Sequence, residues 1–289
     1  MGPSGPRWTG KVELIEQKLD EPLRWRKPRR IFVNSMSDLF HERLSDVDIA
    51  RVFAVMSEAR QHVFQVLTKR PERMLRWISQ VRKCEGGWIT HDGTMPARAY
   101  DGTGVPMSGD EWPLPNVWLG VSTENQETAN ERIPLLMETP AAVRFVSAEP
   151  LLGPIDFTQW LHDSTCLALT DEGEDSTGCI CSEPREVALD WIIVGGESGP
   201  GARPMATEWA RSILHQCSYA QVPFFFKQWG ETVDTDQMPD QTHREVDAVA
   251  NLAGHPQRAW RVGKKAAGRL LDGQIWNEFP GHAEAPPGP

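Results

Sequence analysis

Six apolar runs, each closed abruptly by polar residues, constrain this chain more than any other feature. IFVNSMSD ends at Asp38, FQVLTKR at Arg70, VWLGVSTE at Glu124, RFVSAEP at Glu149, WIIVGGESG beyond Glu197, and FFFKQWG beyond Gln228. In a barrel or open sheet of parallel strands the core side chains lie within the strands, and the chemistry gathers where all the strands finish on one face. The runs therefore read as strands whose polar ends meet at a ligand site.

Parallel neighbours need crossover connections of a dozen or more residues, usually helical, and helical patterns follow the runs. Ser45 and Asp46 open a stretch carrying Val47, Ala50, Val55 and Ala59. Pro71, a good first-turn residue, precedes Met74, Leu75, Ile78 and Val81. Ala129, Ile133, Leu136 and Met137 fit a short helix that Pro134 weakens. Thr207 is a candidate cap for a helix with Trp209, Ile213, Leu214 and Cys217 on one side. This βαβα alternation predicts an α/β fold with a mainly parallel sheet.

A chain of 289 residues with 39% hydrophobic content can bury one barrel-sized core. The expectation is a single domain over residues 1–280, with insertions at about 86–115 and 158–188 and a flexible tail over 281–289. No apolar run reaches the roughly 18 residues of a membrane span, and MGPSGPRWTG offers no signal-peptide core, so no membrane partner and a cytoplasmic location are expected. A formal charge of −10 disfavours general nucleic-acid binding. Against that balance, Arg258, Arg261, Lys264, Lys265 and Arg269 with Trp260 form a basic segment that is a candidate nucleic-acid contact, the alternative being a solvated face. Of the tryptophans, Trp25, Trp112, Trp229, Trp260 and Trp276 adjoin Pro, Gly or charged residues, where partial exposure is expected. Oligomeric state has no signature here.

Cys84, Cys166, Cys179, Cys181 and Cys217 are odd in number and irregular in spacing, which argues against a disulfide framework. Cys179 and Cys181 are separated by one residue, whereas metal knuckles usually place two to four between paired cysteines. No metal ligands are assigned.

The strand ends supply the site residues. Lys69, with Arg70, suits a carboxylate or phosphate, against the alternative of a surface pair. Ser122 with Glu124, and Ser147 with Glu149, bring carboxylates able to bind hydroxyls, act as bases or pair with Lys69. Glu124 alternatively favours a helix N-terminus as an acid. Gly195, Gly196, Glu197 and Arg203 belong to GGESGPGARP, whose glycines admit close backbone approach and whose arginine can meet an anion. That string lacks the Gly-Lys-Ser/Thr of a P-loop. Lys227 and Gln228 close the series. Lys69, Glu124, Glu149 and Lys227 are the catalytic candidates.

The strings RWRKPRRIFVNSMSDLFHE, FQVLTKRPERM, LPNVWLGVSTENQ, RFVSAEPLLGPI, DWIIVGGESGPGARPM, VPFFFKQWG and RVGKKAAGRLLDGQIWNEFP resemble the phage Gp-thirty-seven/Gp-sixty-eight family, a domain of unknown function, from Trp8 to Pro280. That family in turn resembles radical S-adenosylmethionine (SAM) enzymes, nearest the spore photoproduct lyase branch. The resemblance implies a phage or prophage protein with a partial TIM-type (β/α) barrel. It also implies SAM as cofactor and a [4Fe–4S] cluster held by three cysteines after the first strand. It places Asn34, Ser35 and Asp38 where such enzymes hold the amino group of SAM, for which amide, hydroxyl and carboxylate are suitable acceptors. The alternative is that Asp38 caps a turn.

The chain departs from this pattern at the cluster. A C-x2-C motif with a third cysteine would belong upstream of Trp8, and no pair here has that spacing. The expectation is a truncated form lacking the first strand and cluster loop, inactive in radical chemistry as it stands, with the cluster confined to a longer form. The alternatives are a cluster-free nucleotide or SAM binder and an accessory phage protein.

Overall fold

The computed structural model describes residues 11–35, 37–84, 87–89, 112–161, 187–237, 248–249 and 259–281. Its contacts divide the chain into two compact units, one within Met1–Val117 and one within Trp118–Glu284. Each is α/β, and the parallel strands expected from the apolar runs are present in both.

In the first unit, short helices α1 (Glu16–Leu19) and α2 (Glu21–Arg24) precede β1 (Arg30–Val33), which pairs in parallel with β2 (Val63–Thr68). Between them runs α3 (Asp46–Glu58), opened by Ser45, whose hydroxyl accepts the Asp48 amide as expected of an N-cap. Its buried stripe is Ile49, Ala50, Phe53, Ala54, Met56 and Ser57, while Val47 is exposed and Val55 half-buried. Of the stripe read on Val47, Ala50, Val55 and Ala59, Ala50 and Ala59 are buried, and the buried face is otherwise rotated away from Val47. Helix α4 (Pro71–Ser79) begins at Pro71 and buries Met74, Trp77 and Ile78; a small antiparallel pair, β3 (Arg82–Cys84) and β4 (Gly87–Ile89), follows.

The second unit carries β5 (Val117–Ser122) from Trp118 onward, α5 (Gln126–Glu138), β6 (Val143–Ala148), β7 (Trp191–Gly195), α6 (Thr207–Ala220) and β8 (Phe224–Gln228). β5, β6, β7 and β8 pair in parallel in that order. Helix α5 survives Pro134 because its start is strongly specified: the Asn125 side chain accepts the Thr128 amide, and Thr128 accepts the Asn125 amide. Pro134 is exposed, so the carbonyl deprived of an intrahelical donor can turn to water. Thr207 does not cap α6. Ala206 is the cap residue, and the Thr207 hydroxyl instead donates to Asp234 at 3.3 Å.

Strand alternation gives β5–β8 two different faces. On one, the register places Gly120 beside Phe145 and Ser122 beside Ser147, Phe145 beside Trp191, and Ile193 beside Phe225. Trp191 packs edge-on against Trp118 and Phe225, and tilted against Phe145 and Phe279, so this face is aromatic below and polar towards the strand ends. Gly120 is required here, since a Cβ would lie 2.6 Å from the Phe145 ring. The outer edge of β8 is covered, not open: Phe226 donates to the Trp276 carbonyl, Glu278 to the Phe224 carbonyl, and the Trp191 indole to the Glu278 carbonyl. Trp229, expected to be partly exposed, is fully buried with its indole donating to the Leu270 carbonyl. The unit is completed by an antiparallel set, β9 (Thr232–Asp234), β10 (Ala248–Val249) and β11 (Ala259–Arg261), and by the short α7 (Lys264–Ala267). Among the described residues no helix is long and apolar enough to cross a membrane.

Two features give stability predictions. At Gly196 a Cβ would stand 1.8 Å from the Trp229 carbonyl oxygen, which a side-chain rotation cannot relieve. Gly196→Ala is therefore expected to cost at least ~1–3 kcal/mol in denaturant unfolding, whereas Gly153→Ala, meeting only Asn125 Cβ at 3.4 Å, costs much less. Asp234 is buried beside Asp236 and Glu208, and burial first, then Asp236, raises its pKa above the ordinary 3.8. Ionisation is thus penalised only in the folded state, the penalty being absent below the unfolded pKa, growing from there to the folded one and constant above it. Asp234→Asn should raise the thermal midpoint at about pH 7 and lose that gain towards about pH 3.

Candidate functional site

The polar ends of β5–β8 bring three carboxylates of the second unit each to a cation. Glu124, two residues past β5, accepts Arg132 Nη1 at 3.1 Å, and the same nitrogen donates to the Ser122 carbonyl at 2.8 Å. Arg132 sits eight residues along, on α5, at a distance no local motif announces. Both side chains are largely buried, and Ser122 itself is buried. Ser147, its register partner, is buried as well.

Glu149 follows β6. Its Oε2 accepts Lys227 Nζ at 2.7 Å, and its Oε1 accepts the Gln228 amide at 3.2 Å. The other arm of the contact belongs to Gln228, whose amide nitrogen also donates to Ser198 Oγ at 3.1 Å. Gly195 leaves room for this carboxylate, since a Cβ there would come within 3.1 Å of Oε1.

Glu197 and Arg203 close the Gly-rich loop on itself. Arg203 donates through its backbone N, Nε and Nη2 to the two carboxylate oxygens at 2.7–2.8 Å. Hydrogen bonds from Arg203 hold Glu197 at about 2, and the same pairing raises Arg203. Arg203 also feels the charge of Glu124. The loop is tied down at its base: Gly196 N donates to the Gln228 carbonyl, Glu231 N to the Glu197 carbonyl, and Gly199 N to the Glu231 carboxylate. At the tip, Gly199 and Gly201 adopt positive φ, which other residues tolerate poorly. The glycines at 195 and 196 face protein atoms, Glu149 and the Trp229 carbonyl respectively.

In the first unit, Asn34 adopts a left-handed turn after β1, with Ser35 exposed beside it. Asp38 is the hub of a separate polar cluster. Its Oδ1 accepts the Phe40 amide and the Thr68 hydroxyl, and its Oδ2 accepts the Lys69 amide and Arg70 Nη1 at 2.9 Å. Arg70 also bonds Glu42, whose carboxyl it holds at about 2. Asp38 thus braces the turn after β1 against the end of β2. Asn34, Ser35, Asp38 and Lys69 lie in this unit; Ser122, Glu124, Glu149, Gly195, Gly196, Glu197, Arg203 and Lys227 lie in the other.

The sequence reading missed Arg132, Ser198 and Glu231 as supports, for their roles depend on tertiary placement. Of the basic segment, Arg261 donates to the Ala202 carbonyl, and Arg269 lies over the Phe225 ring while bonding Asn277; Lys264 and Lys265 are exposed, and Arg258 lies outside the described residues. Also outside are Cys166, Cys179, Cys181, most of both insertions and the tail beyond residue 281.

A family model described as "Protein of unknown function (DUF5131)" matches residues 3–280. No curated protein and no solved structure matches the chain.

The Glu197 geometry can be checked by titration. With its folded pKa at about 2 against an ordinary 4.5, the pair's contribution is present above the unfolded pKa and is lost as pH falls towards the folded one. Carboxyl NMR should show Glu197 titrating near 2 in the wild type and moving up into the ordinary carboxylate range in Arg203→Met.

Proposed function

The chain belongs to the DUF5131 family, and we propose that its second unit binds a nucleotide-like ligand, S-adenosylmethionine first, at the C-terminal ends of β5–β8. One observation carries the reading: three carboxylate–cation pairs stand at neighbouring strand ends above a buried aromatic layer. Exposed ion pairs add only ~0–1 kcal/mol each to stability, and a largely buried one such as Glu124–Arg132 is often no better than the apolar residues that could replace it, so stability gives little reason to gather them. Ligands of open parallel sheets bind in this position, outside the carboxyl ends of the strands.

The resemblance to the phage Gp-thirty-seven/Gp-sixty-eight family and to radical SAM enzymes supports SAM as the ligand, a partial barrel as the architecture and a phage or prophage source. The resemblance also implies a [4Fe–4S] cluster, which supplies one electron to the bound sulfonium and needs three thiolates. The described residues do not fit that group. Cys217 is buried on the core face of α6, where burial pushes its thiol well above the usual range. Among the described residues no three metal-ligating side chains come together. No radical step is therefore placed on these residues. The alternative is an accessory protein whose polar strand ends hold no ligand. A nucleic-acid partner for the basic segment would rest on Lys264 and Lys265.

Calorimetric titration of the chain with SAM tests the reading. We expect saturable heat and a raised thermal midpoint, since binding to the folded state alone stabilises it. The absence of both at about 1 mM SAM, equivalent to ~4 kcal/mol of binding at most, leaves the accessory role.

A further inference from the structure

The three pairs are not equivalent, and the difference points to a chemical class of ligand. Glu197 receives three donors from Arg203, including a backbone amide, so parting them breaks three charge-assisted bonds. Arg132 holds both Glu124 and a backbone carbonyl, and the side chains of the pair are only 15% and 13% exposed. The Glu149–Lys227 pair is built differently. Its acid is fixed and its base is loose.

Glu149 is fixed by its surroundings. Its Oε1 is held by Gln228, a side chain in a residue only 8% exposed that is itself anchored to Ser198. Gly195 provides the surface across which the carboxylate lies, with no Cβ to lift it away. Lys227 reaches Oε2 by one bond, from a side chain 51% exposed, on a flexible four-carbon stem. Releasing that ammonium breaks one bond, and its half-exposed charge can be taken up by water. It uncovers a carboxylate oxygen already in position and leaves a cation beside it.

A ligand bearing one charge would satisfy one member of the pair and strand the other. A ligand bearing both charges, close together, satisfies both. We infer that Glu149 and Lys227 form an exchangeable clamp for the α-amino-carboxylate end of a zwitterionic ligand, the ammonium replacing Lys227 on Glu149 Oε2 and the carboxylate taking the Lys227 ammonium. No bond is made or broken beyond this exchange of ion-pair partners. Gln228 and Gly195 are positioning residues that act through Glu149. The inference rests on the strand-end ligand reading but specifies which end of the ligand is held, and by which pair.

Calorimetry with three probes tests it: S-adenosylhomocysteine, which carries the amino-carboxylate, 5′-methylthioadenosine, which lacks it, and methionine, which carries little else. The wild type should bind S-adenosylhomocysteine at least about tenfold more tightly than 5′-methylthioadenosine, the scale of one or two charge-assisted bonds. Glu149→Gln and Lys227→Met should each collapse that contrast, and Lys227→Arg should restore part of it. Gly195→Ala should shrink it by displacing the carboxylate. Binding of both nucleosides with equal affinity overturns the clamp and leaves the nucleotide reading standing. Binding of methionine without either nucleoside supports the clamp and removes the nucleoside from the reading. A contrast that persists in both Glu149→Gln and Lys227→Met, or no heat from any probe, overturns the clamp.

Discussion

Two backbone segments of the second unit cross in contact at Gly196 and Gly230, and the positions of the polar groups at the ends of β7 and β8 descend from that crossing. A Cβ at Gly196 would meet the Trp229 carbonyl oxygen at 1.8 Å, and one at Gly230 the Glu197 carbonyl oxygen at 2.0 Å. With both absent, the chains approach closely enough for Gly196 N to reach the Gln228 carbonyl and Glu231 N the Glu197 carbonyl. Hydrogen bonding thus continues past the end of β7, where the register already shifts between Val194 and Gly195. Ser198 is thereby delivered to Gln228, and Gln228 to Glu149. The carboxylate inherits its orientation from two residues that have no side chain.

Apolar packing and polar groups are separated along the strands. Below the polar rim, Phe145, Trp191, Phe225 and Phe279 form a contiguous aromatic layer, closed by the segment that pairs with β8. Phe145 and Trp191 are fully buried and Phe225 and Phe279 half-buried; full burial contributes ~1.5–3 kcal/mol per side chain, and well-oriented ring pairs a further ~0.5–1.5 kcal/mol. Against that scale the more exposed ion pairs above, Glu149–Lys227 and Glu197–Arg203, are minor contributors. The layer can hold the strand ends in place whatever charges they carry, which frees the rim residues to be chosen for chemistry.

Much of the scaffold is legible in the sequence because local rules decide it. Ser45 caps α3, Pro71 begins α4, and the apolar runs become parallel strands. The failures are equally local rules overruled by neighbours. The helix read on Ala129, Ile133, Leu136 and Met137 forms, and Pro134 weakens it less than expected, since the reciprocal Asn125–Thr128 cap and buried Ala129, Ile133 and Leu136 hold it on both sides. Thr207 is drawn away from capping by Asp234. Trp229, flanked by Gln228 and Gly230, looks like a surface residue until its indole finds the Leu270 carbonyl 41 residues later. At the rim, the acids Glu124, Glu149 and Glu197 can be picked out as strand-end groups, but their partners cannot. Only the Glu197–Arg203 partnership lies within one loop; Arg132 and Lys227 reach their acids from other elements.

The same limit governs the basic residues, and it shows why counting charges along a sequence misleads. Arg261 and Arg269 stand in a run rich in cations, yet each spends a guanidinium on the protein itself. Arg261 donates to the Ala202 carbonyl beside Arg203, and Arg269 lies 5.2 Å over the Phe225 ring and bonds Asn277. A planar guanidinium with five donors suits such duties, satisfying carbonyls and covering rings at once. A lysine ammonium is poorer at bridging and freer to move. What a cation can do for a ligand depends on the bonds it must give up to do it. By that measure Lys227, isolated in sequence and held by one exposed bond, is better placed to exchange partners than an arginine from the basic run.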